Sequence, residues 1–177
     1  FYAKQTIKQL SLTYKTELPC FIICDKPEYK WRGMMLDTCR SFYSVEFIKK
    51  LLDALAFHKF NHFHWHLTDD QGWRINVPEY PLLVEKGSIR QAHTMPASVE
   101  GFYDSPDLPR KYYTDEEITE IVKYAEERCI EVVPEIELPG HVSALLAAYP
   151  QFGCTGGPYQ VENRWGIFPD VLCLGND

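Results

Sequence analysis

The stretch Asn61–Trp73, NHFHWHLTDDQGW, sets histidines at 62, 64 and 66 and places Phe63, Trp65 and Leu67 between them. Successive side chains of a strand point to opposite faces. The pattern therefore predicts a strand over Asn61–Leu67 with the imidazoles on one face and the large apolar groups on the other. The run then breaks into Thr68, the acid pair Asp69-Asp70 and Gly72-Trp73. Three readings fit these residues. The histidines can be core residues with hydrogen-bond partners and the aspartates a turn signal, although a core strand gains nothing from three polar groups on one face. His-x-His on a strand also sets two nitrogens about 7 Å apart, and zinc takes such ligands. The third reading is carbohydrate chemistry, in which carboxylates and histidine hydrogen-bond a sugar and an aromatic holds its face.

Composition narrows the choice. The 177 residues are enough for one domain with a real core. With 45% hydrophobic and 24% charged residues the chain is an ordinary globular protein. A net charge of −7 argues against nucleic acid or an anionic membrane as partner, since both require clustered Lys and Arg. No apolar run reaches the length of about 18 residues that a membrane span needs. The first twelve residues, FYAKQTIKQLSL, do not resemble a signal peptide and do not begin with Met, so the expectation is a chain that starts within a longer protein.

None of the six cysteines forms a CxxC motif. Cys39 and Cys129 adjoin regular apolar segments and read as buried thiols. Cys154 and Cys173 flank the Gly/Pro-rich stretch GCTGGPYQVENRWGIFPDVLC, where a disulfide would staple a loop. Such a pair favours an exported, periplasmic or lumenal setting.

Upstream of the histidine strand, Ser44 offers an N-cap, Glu46 suits a first turn, and Ile48, Leu51, Leu52 and Leu55 follow at helical spacing to about His58. Trp31–Asp37, WRGMMLD, reads as a buried strand before that helix. The order strand, helix, strand with short links implies a parallel βαβ unit. Farther upstream, residues 1 to 12 read as the end of an amphipathic helix, Leu18–Cys24 as a strand, and Asp25–Tyr29 as a linker. Downstream, Thr68–Tyr113 is broken by prolines and glycines and reads as a long functional loop. Thr114 and Glu117 form a capping-box signature, with Ile118, Ile121, Val122, Ala125 and Cys129 at helical spacing behind it. Glu131–Glu137 reads as a third strand, with Pro134 tolerable near its end. A Pro139-Gly140 turn and a short helix over His141–Tyr149 follow.

Asp37, His66–Asp69, Glu135, Glu137 and His141 thus gather at the carboxyl ends of strands, the active end of a parallel α/β barrel. A doubly wound sheet has similar order, but no Gly-rich phosphate loop follows the first strand.

Three motifs coincide: Trp31-Arg32-Gly33-Met34-Met35-Leu36-Asp37 with Arg40; His64-Trp65-His66-Leu67-Thr68-Asp69-Asp70; and Pro134-Glu135-Ile136-Glu137-Leu138-Pro139-Gly140-His141. Together they resemble the β-N-acetylhexosaminidases of glycoside hydrolase family 20, over the whole chain. The segments Cys154–Pro158 and Cys173–Asp177 also resemble that family. The resemblance implies a (β/α)8 barrel after a smaller α/β domain. Residues 1–24 would be the end of that smaller domain, and residues 25–177 the N-terminal part of the catalytic barrel. It implies substrate-assisted retaining catalysis, in which the sugar's 2-acetamido oxygen attacks its own anomeric carbon, an Asp orients the acetamido group, and the adjacent Glu protonates the leaving oxygen. It matches Arg32 to an arginine that binds sugar hydroxyls, Asp69 and His66 to polar support of the site, and His141 to a relay toward the catalytic acid. No cofactor is implied. The expected ligands are glycans ending in N-acetylglucosamine or N-acetylgalactosamine, or chito-oligosaccharides.

Glu137 stands where the family often has Asp, and Ser41 where many members have His. The Gly-Gly-Asp-Glu motif that carries the family's acid pair is missing from these residues. Three strands cannot close an eight-strand barrel, and a barrel of about 250 residues is usual. The expectation is therefore an incomplete barrel, inactive alone, with open edges prone to self-association. Two alternatives stay open. One is a metal-dependent amidohydrolase-like barrel with His62, His64 or His66 as ligands. The other is a non-catalytic sugar-binding or scaffold protein. Arg32 can also be a simple structural partner, His141 a helix cap, and Trp73 and Trp165 either sugar platforms or core residues.

Overall fold

The computed structural model describes residues 1–17, 19–20, 22–92, 107–164 and 166–175. In chain order the elements are α1 (Tyr2–Thr13), β1 (Gly33–Asp37), α2 (Val45–Phe57), β2 (His62–His66), β3 (Thr68–Asp69), β4 (Gly72–Trp73), α3 (Leu82–Glu85), α4 (Asp115–Glu126), β5 (Glu131–Glu135) and α5 (Ser143–Ala148). A 3-10 turn over Pro150–Phe152 follows.

Strands β1, β2 and β5 form a parallel sheet with β2 central, as a βαβ succession requires. The register sets Gly33, His62 and Glu131 in one row, and Asp37, His66 and Glu135 in another at the carboxyl end. Alternation then sorts the faces. Phe63 and Trp65, with Leu36 and Val132, pack beneath α2 and α4 against Ile48, Leu52, Leu55, Ile121 and Ala125. Burial of each of the Leu, Ile, Val and Phe side chains among these stabilises the fold by about 1.5–3 kcal/mol. No helix covers the histidine face among the described residues, and Met35 there remains 48% exposed.

The two main helices start where their caps place them. Ser44 accepts from Phe47 N. Thr114 and Glu117 form the full capping box. Pro134 lies within β5 without breaking the ladder. Glu131 N–H donates to Asn61 O, so by alternation the N–H of residue 134 would face the free edge of the sheet, where no donor is missed.

Three expectations are corrected. Leu18–Cys24 forms no strand among its described residues. Nothing pairs with it, and Ile22 is almost fully exposed. Leu18 and Phe21 lie outside the described residues. Cys129 is exposed, not buried, because α4 ends at Glu126 and the chain turns through φ +55° at Cys129. Cys39 is fully buried, as expected. Thr68–Tyr113 is also more ordered than its composition implies. Asp70-Gln71 turns the β3–β4 hairpin, and Trp73, Leu83, Val84, Val142, Leu145 and Leu146 form a second apolar cluster.

Arg74 holds that region together. Its side chain is fully buried and donates to four main-chain carbonyls: Ser88 at 2.7 Å, Lys111 at 2.9 Å, Cys39 at 2.7 Å and Gln71 at 3.2 Å. Among the described residues it makes no ion pair, and burial draws its pKa down to about 10. The carbonyl dipoles take the place of a counter-ion and tie the β1–α2 loop to the hairpin.

Candidate active site

The carboxyl ends of β1, β2 and β5 carry Asp37, His66 and Glu135 in one row. The loops that leave them bring Arg40, Asp69, Asp70, Glu137 and His141 to the same end. Asp37 Oδ1 accepts from Cys39 N at 2.9 Å and Arg40 N at 3.2 Å, which turns the chain back over the strand. That turn aims Arg40 at the site. Its terminal nitrogens reach Asp37 Oδ2 at 2.9 Å and Asp69 Oδ2 at 2.6 Å, and its Nε donates to Gln71 Oε1 at 2.8 Å.

Asp69 is the hub. It is buried and faces Arg40, His66 Nε2 at 3.3 Å and His141 Nδ1 at 3.3 Å. Burial alone would raise its pKa, but the nearby His66 imidazole, Arg40 and the Asp70 N–H hold it below the usual carboxylate value. His66 shifts the other way. Burial opposes its charge, yet the Asp69 carboxylate 3.3 Å from Nε2 and the carboxylates of Asp37 and Glu135 hold its pKa above that of free histidine. Glu137 is raised by burial and by its neighbour Glu135. Asp70 has a structural task. Its Oδ1 accepts from Ser143 N at 3.0 Å and Ser143 Oγ at 2.6 Å, which seats the start of α5, and its Oδ2 lies 3.2 Å from His141 Nδ1.

Of the residues expected at the site, Asp69, His66, Glu137 and His141 converge there. Arg32 does not. It precedes β1 at the amino end of the sheet, where its guanidinium donates to the Lys59 and Tyr29 carbonyls at 2.7 and 2.8 Å. The arginine at the carboxyl end is Arg40, whose sequence signal was its place three residues past Asp37, in the loop leaving the strand. Trp73 is a core residue. It is buried in the second apolar cluster, and its Nε1 donates to Ile75 O at 2.7 Å. Trp165 lies outside the described residues. Gln71 escaped notice because its role is tertiary: its amide accepts from Arg40 and donates to Arg164 O at 3.0 Å. No disulfide joins Cys154 and Cys173 in this structure, so the expected bond is not formed, although the two are neighbours.

The three strand histidines do not share a ligand position. His62 stacks on Trp31 at 3.5 Å, His64 Nε2 sits 2.5 Å from Glu135 Oε2, and His66 faces Asp69. Side chains able to hold a metal do meet within 4.8 Å elsewhere: Asp37, Cys39 and His66; His66, Asp69 and Glu137; and Asp69, Asp70 and His141. All three sets use His66 or Asp69, so a cation there would compete with Arg40 or with the His66–Asp69 pair.

Residues 29–177 match the family model for the glycosyl hydrolase family 20 catalytic domain. The chain belongs to glycoside hydrolase family 20. Its β-hexosaminidase relative from Porphyromonas gingivalis is 44% identical over 186 aligned positions, which cover 100% of this chain and 22% of the relative. A second, from Akkermansia muciniphila, is 44% identical and covers 97% of this chain and 34% of the relative. The crystal structure of a β-N-acetylhexosaminidase superposes with a TM-score of 0.87 at 40% identity, over 98% of this chain and 36% of that one. The chain thus spans about a fifth to a third of the length of these family 20 proteins, and its parallel βα units are part of a (β/α)8 barrel.

Proposed function

We propose that this family 20 chain forms one side of a site that hydrolyses terminal, non-reducing β-linked N-acetylhexosamine by the substrate-assisted, retaining route. The observation that carries the reading is the Arg40–Asp69–His66 cluster at the carboxyl end of the sheet, the end where barrel enzymes build their sites. An ionised, buried carboxylate beside a fixed guanidinium offers acceptors and donors to sugar hydroxyls at set positions. His141 connects Asp69 and Asp70 to the rim of the site and would relay charge toward a catalytic acid. Glu137, whose proton is held to higher pH by burial and Glu135, supplies a second acid on the same rim. The acetamido-orienting Asp and the acid Glu would come from sequence outside these 177 residues, so the chain by itself does not turn over substrate.

The substrates we assign are glycans or chito-oligosaccharides that end in N-acetylglucosamine or N-acetylgalactosamine. Residues 1–24 are assigned to a preceding α/β domain and residues 25–177 to the barrel, in keeping with the family match that starts at residue 29. An exported, periplasmic or lumenal setting is assigned on the sequence expectation that Cys154 and Cys173 pair. No helix among the described residues is long and apolar enough to cross a membrane.

The test is hydrolysis of an aryl N-acetyl-β-glucosaminide by this chain and by the full-length source polypeptide, side by side. Turnover by the longer polypeptide alone is expected, with a fall of at least about tenfold in kcat/KM when Asp69 is changed to Asn. Turnover by the 177 residues alone, free of longer species, would overturn the division of labour. Saturable binding of N-acetylhexosamine without turnover by either would replace the hydrolase with a sugar-binding protein.

A further inference from the structure

His66 stands among carboxylates at the carboxyl end of the sheet, and one of its ring nitrogens is left without a hydrogen bond. The residue is 4% exposed. Its Nε2 is buried and has no hydrogen-bond partner among the described residues. That nitrogen faces Asp69 Oδ2 at 3.3 Å, Glu137 Oε1 at 3.7 Å and Glu135 Oε1 at 3.9 Å. Ligand atoms of His66, Asp69 and Glu137 all lie within 4.8 Å of one another. Zinc holds imidazole nitrogen and carboxylate oxygen at about 2.0–2.2 Å in a tetrahedron, which spaces neighbouring ligand atoms about 3.4 Å apart. The separations from Nε2 to Asp69 and to Glu137 are close to that spacing. Glu135 and Glu137 also crowd each other, and together with burial this raises the Glu137 pKa. A divalent cation beside them relieves the crowding. The other two sets are poorer. Burial holds the Cys39 thiol protonated, and its S–H donates to His66 O at 3.2 Å, whereas a metal takes the thiolate. His141 is 43% exposed and already meets Asp70 Oδ2 at 3.2 Å, while Asp70 Oδ1 accepts from Ser143.

We propose that His66 Nε2, Asp69 Oδ2 and Glu137 Oε1 bind one divalent ion of the zinc class, with water in the fourth position, in competition with Arg40. One imidazole with two carboxylates suits a borderline metal, whereas calcium and magnesium take oxygen ligands. The competition follows from a shared atom. Arg40 Nη2 lies 2.6 Å from Asp69 Oδ2, so a cation at that oxygen meets a like charge and displaces the guanidinium. Arg40 keeps Asp37 Oδ2 at 2.9 Å and Gln71 Oε1 at 2.8 Å, so it is still held once Asp69 is released. His66 ligates as the neutral ring with its proton on Nδ1, the nitrogen that faces Asp37 Oδ1 at 3.8 Å. Glu137 is half-buried on the rim, which leaves the ion a way in. The inference concerns these side chains alone and stands whether or not the site hydrolyses a sugar.

The experiment titrates Zn²⁺ calorimetrically into the chain after its accessible thiols have been blocked with iodoacetamide, so that cysteines do not contribute. One ion per chain is expected, with a rise in the thermal unfolding midpoint at saturating zinc. Glu137→Gln should weaken binding by at least about tenfold and cancel that rise, while its own zinc-free midpoint shows that it folds. Arg40→Gln should tighten binding by about threefold or more, because the competing charge is gone. No binding by the blocked chain would overturn the site. Equal affinity in the parent and in Glu137→Gln would overturn it too, by moving the ion to another set of ligands. Weaker binding in Arg40→Gln would overturn the competition.

Discussion

Asp69 draws its charge state from its neighbours. Its pKa is lowered by His66 and Arg40, so its contribution to stability is present above the unfolded value near 3.8 and is lost as pH falls through the lower folded value. His66 is raised, so its contribution is complete below the unfolded value near 6.5 and is lost as pH rises through the folded one. The pair is worth most between those limits, in weakly acidic solution. Glu137 has the same sense as His66, since its raised pKa makes the ionised form the costly one in the fold. Thermal unfolding followed across pH 4–9 should show Glu137→Gln raising the midpoint on the alkaline side and leaving the acidic side nearly unchanged. A midpoint raised equally at every pH would remove the electrostatic explanation. Asp69→Asn leaves Arg40 and His66 without their buried partner and should cost about 3 kcal/mol in denaturant unfolding at neutral pH. Gly72 has a steric reason. A Cβ there would lie 2.1 Å from a terminal nitrogen of Arg74. That guanidinium cannot swing aside, because carbonyls from four segments hold it. Gly72→Ala is expected to cost about 2 kcal/mol, and a loss under about 0.5 kcal/mol would show that Arg74 has room to move.

At the scale of elements, what reads well from sequence is what is local. Helices α2 and α4 begin where Ser44 and Thr114 place them, since a cap needs only residues within one turn. Thr114→Ala should lose about 1 kcal/mol, measured by denaturant unfolding, whereas Thr119→Ala on the exposed face of α4 should be nearly neutral. Equal losses would mean that the cap makes no special contribution. Strand β2 was legible because its alternation is strict and bulky. Leu18–Cys24 carries strand-like composition, but its described residues form no strand, since a strand exists only beside a partner and none of the described residues pairs with them. The β3–β4 hairpin failed to register for the opposite reason. Two residues a side give no periodicity, and its stability comes from Arg74 and the second apolar cluster.

For the whole molecule, the consequential feature is a parallel sheet open on both sides among the described residues. Pro134 blunts the β5 edge by removing a donor. No proline lies in β1, where half-exposed Met34 and Met35 adjoin the free edge. Self-association through β1 is therefore expected to exceed that through β5. Sedimentation velocity between about 5 and 200 μM should show concentration-dependent growth, reduced by Met35→Lys. A strictly monomeric chain over that range would show that the edge is covered.

The sequence by itself determined the order of elements, the parallel βα plan, the family, and the end of the sheet where Asp69, His66, Glu137 and His141 meet. Each follows from alternation, capping or motif, which are properties of neighbouring residues. Only the tertiary structure decided which arginine lies at the carboxyl end of the sheet and which aromatic lies in the core. Arg32 and Arg40 lie at opposite ends of one short strand, and the strand's length and direction, not the residue type, separate them. Trp73 turned inward because the second apolar cluster formed around it from segments more than sixty residues apart. Arg74 and Gln71 acquired their roles in the same way, through carbonyls and loops that no local pattern announces.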